Sequence, residues 1–360
     1  MLDLNFDNKK LIKMLGTLMG ILIVILIFIF IIIGMASSKV SDKKLPIVIE
    51  QAAIKYYVDH KDDLPSVDGE KVTLDASTLI SSKYMKSFEK MTKNTGCSAK
   101  VVTTNNGGEY NHIVSIDCNE FKTQTLSDVV KNTVTKTGDG LYLVNDEYYY
   151  RGEYVDNYVR IDNVLYRIVS IDKDGNMKLT STMLSDSSYS WDDRYNVEKN
   201  QDGLGINNYE LSRIKENIDK IYEGYSSNLK KHIKNSEWCV GTRGSEDGNM
   251  NLDECSKTVK DYVGLITLKE YVRPSLDSNC KGVLDGACVN YNYLSHMYEK
   301  NFWTAIAVSD NTYEAFRIGS TYIENKRTYM SCKVLVMFNI DGNELYVSGT
   351  GTDVDPYVIR

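Results

Sequence analysis

An α+β body carried on one apolar helix is the architecture this 360-residue chain predicts, and three observations point to it. Residues 14–36 carry no charged side chain. Beyond them, stretches with apolar residues at three- and four-residue spacing are interspersed with stretches rich in β-branched and aromatic residues. All seven cysteines follow the apolar run. The net charge is −7, with no basic stripe to neutralise phosphates, which excludes a nucleic-acid partner. Tyrosine is abundant at 26 against 8 phenylalanines and 3 tryptophans, so much of the aromatic surface carries a hydroxyl that can face water.

Residues 21–33 are an unbroken run of Ile, Leu, Val and Phe. At 1.5 Å per residue, roughly 20 such residues cross a bilayer core, so 14–36 is predicted to be a transmembrane helix whose partner is the lipid bilayer. Lys9, Lys10 and Lys13 before it and Met35-Ala36-Ser37-Ser38 after it also suit a signal peptide, but the apolar region is longer than such a region usually is. An uncleaved signal-anchor is expected. Lysines 39, 43 and 44 balance those before the helix, so charge does not orient it. The cysteines imply an oxidising compartment for the residues beyond the helix, giving a single-pass cell-membrane protein with 1–13 cytoplasmic and the body extracellular.

The first extracellular segment, 39–125, is predicted as a small α+β unit. Pro46 opens a helix in which Ile49, Ala52, Ala53, Tyr56 and Tyr57 recur at helical spacing until Asp62-Asp63-Leu64-Pro65. Val72-Thr73-Leu74 reads as a strand, and 76–91 as a second helix carrying Leu79, Ile80, Tyr84 and Met85. Asn105-Asn106-Gly107-Gly108 is a hairpin signal, because these residues tolerate positive φ. Centring the turn on the two glycines pairs Val101 with Val114, Val102 with Ile113 and Cys97 with Cys118. Opposed strand residues lie about 4.5–5.5 Å apart at Cα, so a Cys97–Cys118 bond is predicted, worth roughly 3 kcal/mol in the chain-entropy description. The apolar helix, amphipathic helix and small strand region together resemble the layout of type IV pilins and pseudopilins. The Gly-Phe-Thr-x-x-Glu type of processing site of that family is absent.

A linker is placed at 126–145, where Leu126, Val129, Val130 and Val134 suggest one short helix. The main body, 146–360, is predicted to be β-rich. Strands at 157–161, 164–171 and 177–180 form a meander through turns at Asp162-Asn163 and at 172–176. Asp172-Lys173-Asp174-Gly175 lacks the further ligands of a calcium loop and reads as a turn. Leu211, Ile214, Ile218, Ile221 and Tyr222 mark a core-facing helix ending at Gly224.

Several pieces, in order, resemble an uncharacterised bacterial surface domain of unknown function. They include Tyr150-Arg151-Gly152, Leu165-Tyr166-Arg167-Ile168-Val169, Trp191-Asp192, Trp238-Cys239-Val240-Gly241, Val263-Gly264-Leu265-Ile266-Thr267, Phe302-Trp303-Thr304 and Asp355-Pro356-Tyr357. The chain has Cys332-Lys333 where that family carries Arg-Pro. The resemblance implies an α+β body with irregular loops, similar to C-type-lectin-like domains.

Cys239 with Cys255 and Cys280 with Cys288 are spaced to staple glycine-containing loops, leaving Cys332 over. No Cys-x-x-Cys and no histidine ligand pair is present, so no metal or other cofactor is expected. Catalytic motifs are absent, and no catalytic residue is assigned. Thr328-Tyr329-Met330-Ser331-Cys332 has a partial likeness to the cysteine strand of sortases, which would need His232 or His296 as base, but no arginine follows until Arg360. Trp191, Trp238, Trp303 and Tyr189 are candidates for stacking on a glycan if they are exposed. The function expected is a non-enzymatic ligand-binding or adhesin-like surface module taking a glycan or protein. An anchored sortase-like transpeptidase and a minor pilin-like component are the alternatives.

Overall fold

The structure is a computed structural model and describes residues 39–249, 255–297 and 301–360. The cytoplasmic tail expected at 1–13 and the helix expected at 14–36 lie outside the described residues. Among the described residues no helix is long and apolar enough to cross a membrane. The expectation of a single-pass membrane protein with an extracellular body is corrected accordingly. The α+β, lectin-like class is corrected too: the chain is β-rich with curled sheets and about 21 % helical. Most of its helices are only one or two turns long, and they join strands rather than forming a layer of their own.

In the N-terminal unit, Pro46 stands in the first turn of α1 (Leu45–Asp59), where a missing N–H costs nothing. Leu45, Ile49, Ala53 and Tyr57 are buried along one face. After β1 (Lys71–Asp75), the single helix expected over 76–91 is two short ones, α2 (Ala76–Ser81) and α3 (Phe88–Met91). Lys83 between them has φ 65°, a left-handed conformation that no α-helix accommodates. β2 (Ser98–Asn106) and β3 (Glu109–Asp117) form the expected hairpin, with Gly107 at φ 64° and Gly108 at φ 92°. Val101 pairs with Val114 and Val102 with Ile113. Cys97 and Cys118 are bonded, with Cα atoms 4.0 Å apart.

The stretch read as a linker packs into the body. α4 (Leu126–Lys131), capped by the Thr125 hydroxyl, buries Leu126 and Val130 in the large core. Then come β4 (Gly140–Val144), β5 (Glu147–Arg151), β6 (Tyr158–Ile161), β7 (Val164–Ile171), β8 (Met177–Ser181) and β9 (Tyr189–Ser190). Asp162 and Asn163 hold positive φ in the first meander turn, and the Asp172 carboxylate accepts the N–H groups of Asp174 and Asn176 in the second. Helix α5 (Arg213–Glu223) is capped by Ser212 and buries Ile214 and Ile218. Leu211, expected on its core face, precedes the cap and is exposed.

Next in the chain are α6 (Ser227–Lys230), β10 (Ile233–Lys234), β11 (Ser236–Cys239), β12 (Thr242–Arg243), β13 (Thr258–Asp261), β14 (Val263–Leu265), α7 (Leu268–Val272) and α8 (Tyr293–Met297). The chain closes with β15 (Phe302–Val308), β16 (Glu314–Ile318), β17 (Ile323–Arg327), β18 (Ser331–Val334), β19 (Val336–Ile340), β20 (Tyr346–Ser348) and β21 (Tyr357–Ile359).

Among the described residues, β1–β3 form one sheet, and the body holds a ten-stranded, a six-stranded and a two-stranded sheet. The ten-stranded sheet curls because its central strands each serve two neighbours along one edge. β19 pairs with both β14 and β10 on the side away from β8, and β7 pairs with both β6 and β5. The N-terminal unit is bonded to the body through Lys71 Nζ to Asp341 Oδ2 at 2.5 Å and Arg360 Nε to Glu50 Oε2 at 2.8 Å. Buried between them, Glu344 Oε1 accepts from Asn111 Nδ2 at 2.7 Å and lies 2.8 Å from His232 Nδ1.

Candidate functional site

Side chains on a strand alternate between faces, so one row across paired strands shares one side of a sheet. Ile171, Met177, Ile340 and Ile233 lie in one such row across β7, β8, β19 and β10, and all four are fully buried. The adjacent row is polar from end to end. Tyr149 on β5 pairs with Ser170, Ser170 with Lys178, Lys178 with Asn339, and Asn339 with Lys234. This row is the floor of a cleft whose larger lobe is about 730 Å³ and whose smaller lobe is about 320 Å³. Four inter-strand steps give the floor a length of about 19 Å.

One wall is the start of α7. Thr267 and Glu270 form a capping box there: the Glu270 carboxylate accepts from the Thr267 N–H at 2.6 Å and from the Thr267 hydroxyl. The same carboxylate receives Lys178 Nζ at 2.6 Å. Burial would push Glu270 up, but the Lys178 ammonium and the Thr267 donors hold it below the ordinary carboxylate value. Beside it, Glu147 lies 3.1 Å from Arg273 and 3.3 Å from Lys269. The opposite wall is β11 and the loop after it, held by the Cys239–Cys255 disulfide, both of whose residues line the larger lobe. In that loop Arg243 Nε meets Asp247 Oδ2 at 2.9 Å. The N–H of Asn249 and this guanidinium keep Asp247 below its usual value.

The expected stacking residues are not on this surface. Trp191 and Trp303 are fully buried and Trp238 is 2 % exposed. Each indole N–H is spent inside: that of Trp191 on Thr304 O, that of Trp303 on Tyr189 O and that of Trp238 on Asp261 O. An indole enclosed on both faces offers nothing to a sugar ring, so the three tryptophans are core residues. Trp238 lies against Gly264, where any Cβ would collide with its ring, and Lys178 Nζ sits 5.0 Å from the ring centroid on the cleft side. Tyr189 is half-buried on β9 and gives its carbonyl to Trp303.

The disulfides Cys97–Cys118, Cys239–Cys255 and Cys280–Cys288 are all formed, and Cys332 is free and buried. The arginine that the sequence lacks after Cys332 is supplied from β16, where Arg317 Nη1 lies 3.4 Å from the Cys332 sulfur. Burial nevertheless pushes the thiol up, and the guanidinium only partly offsets it. A covered thiol of raised pKa is a poor nucleophile. Of the two histidines expected as base, His232 is engaged with Glu344, and the His296 side chain falls outside the described residues.

Sequence reasoning missed Tyr149, Ser170, Lys178, Asn339 and Lys234 as partners in one row. It quoted Thr267 only as a residue of a resemblance, although Thr267-x-x-Glu270 ahead of apolar residues is itself a helix-start signal. No family model, curated protein or solved structure matches this chain.

Proposed function

We propose that this protein is a non-enzymatic binding module of an oxidising compartment, and that its ligand is an extended polar chain lying along the cleft. The observation carrying this reading is the continuous polar row from Tyr149 to Lys234, backed by an entirely apolar row. A sheet face left polar and concave between two walls is a place for hydrogen-bonded recognition rather than for packing. Three disulfides fit an oxidising setting. Glu237 apart, the charged groups of the cleft are held by ion pairs or hydrogen bonds within the protein, which suits a rigid binding surface better than a reactive centre.

Peptide and glycan arrays probed with the full chain test the proposal, alongside a Ser170→Trp variant that fills the middle of the floor. Ligands retained by the native protein and lost by the variant are expected. Binding that ignores the blocked floor would place recognition elsewhere on the molecule.

A further inference from the structure

The cleft's polar groups divide into those already satisfied and those left open. Lys178 with Glu270, Glu147 with Lys269 and Arg273, and Arg243 with Asp247 close on themselves. Lys234 Nζ is held by Asn176 Oδ1 at 2.6 Å, and Asp172 is consumed by its own turn. Four groups lining the cleft have no partner among the described residues: the Tyr149 hydroxyl, the Ser170 hydroxyl, the Asn339 amide and the Glu237 carboxylate. The Tyr149 hydroxyl is enclosed, as Tyr149 is only 6 % exposed, so a ligand in the cleft meets the other three.

Three of the four lie on the floor row, and they are neutral donors and acceptors. Glu237 stands apart: it is exposed on β11, lines both lobes, and is the one charged lining residue without an ion pair or hydrogen bond among the described residues. Its cross-strand neighbour Lys260 forms no ion pair with it. The open charge of the cleft is therefore negative, in a chain whose net charge of −7 also draws cations toward it. The cleft's aromatic faces are closed, since Tyr149 is covered by Arg273 at 4.1 Å and Trp238 is buried beneath Lys178. Sugar rings would find no stacking platform. A peptide needs none, because its main chain supplies alternating donors and acceptors to match the Ser170 hydroxyl and the Asn339 amide, two inter-strand steps or about 10 Å apart, the reach of roughly three extended residues.

Resting on the binding reading above, we propose that the cleft takes an extended basic peptide segment, with a lysine or arginine of the ligand set against Glu237 and its main chain along Ser170 and Asn339. The experiment is a positional-scanning decapeptide library, with chitosan tetramers as a second probe, measured by fluorescence anisotropy on the full chain, on Glu237→Gln and on Ser170→Trp. Peptides carrying lysine or arginine at one position are expected to bind the native chain at least tenfold more tightly than their glutamine counterparts. Glu237→Gln, at an exposed site, should erase that preference while leaving the melting temperature unchanged, and Ser170→Trp should abolish binding of both peptide types. Peptide binding that Ser170→Trp abolishes but that shows no preference for a positive charge, or is indifferent to Glu237→Gln, would overturn this inference and leave the binding reading standing. Chitosan bound in a Glu237-dependent way with no peptide bound would overturn the ligand class. Peptides bound equally by Ser170→Trp would overturn both readings.

Discussion

Lys178 Nζ lies 2.6 Å from Glu270 Oε1 and 5.0 Å from the centroid of the Trp238 ring, which joins the floor of the cleft, its α7 wall and the core beneath it at one ammonium group. The side chains of the pair are 21 % and 10 % exposed, so neither charge can turn to water if the other is removed. Glu270→Gln or Lys178→Met is therefore expected to cost about 3–5 kcal/mol, and the double replacement by Met and Leu to recover most of it. Urea unfolding of the three variants measures this, and an additive double variant would show that the two groups are not coupled.

The same pair gives stability a direction with pH. Glu270 is held below its ordinary value in the folded chain, so its contribution is complete above the unfolded carboxylate value near about 4.3. It is lost as pH falls through the depressed folded value. Asp341 behaves likewise: burial raises it, but Lys71 Nζ at 2.5 Å and the Asn343 N–H lower it below the usual range. Acid is thus expected to loosen the cleft wall and the junction of the two units together. Asp341→Asn should flatten part of the acid limb of a melting-temperature profile, with a cost on the order of 1–2 kcal/mol at neutral pH. A native-like acid limb in that variant would remove Asp341 from the account.

The Cys97–Cys118 bond closes the hairpin edge of a unit with its own small core. Replacing both cysteines by alanine should lower stability by about 3 kcal/mol, in the N-terminal unit first. Hydrogen exchange would then show β2 and β3 opening ahead of the body strands. Equal loss of protection in both units would mean that they unfold as one.

The features legible in the sequence were local. The hairpin register came from two glycines, the three disulfides from spacing, and the meander from β-branched runs separated by Asp-Asn and Asp-Gly turns. The cleft was not legible, because its floor draws on segments as far apart as Tyr149 and Asn339, and the register between such strands is set by long-range pairing. Composition cannot say which face of each strand meets which. The tryptophans misled for a related reason: an indole has the same chemistry in a loop or in a core, and only the long-range placement of β11, β15 and the residue after β9 decides that Trp238, Trp303 and Trp191 are enclosed. Leu211 kept helical spacing, yet Ser212 caps the helix after it and leaves it in water.

Cys332 offers the sharpest contrast between a reactive and a structural thiol. It sits on β18 with 2 % exposure, paired in register to Tyr189 and touched by Arg317 at 3.4 Å. Burial, the largest influence, pushes the thiol up, so little thiolate exists near neutral pH. Iodoacetamide is expected to leave Cys332 unmodified in the folded chain and to label it at the rate of unfolding when urea is added. Cys332→Ala should cost about 1 kcal/mol through the small cavity it leaves, with cleft binding unchanged. Rapid labelling of the native chain that stays rapid as pH is lowered below about 8 would instead show an accessible thiolate held by Arg317 and would revive a nucleophilic role for this strand.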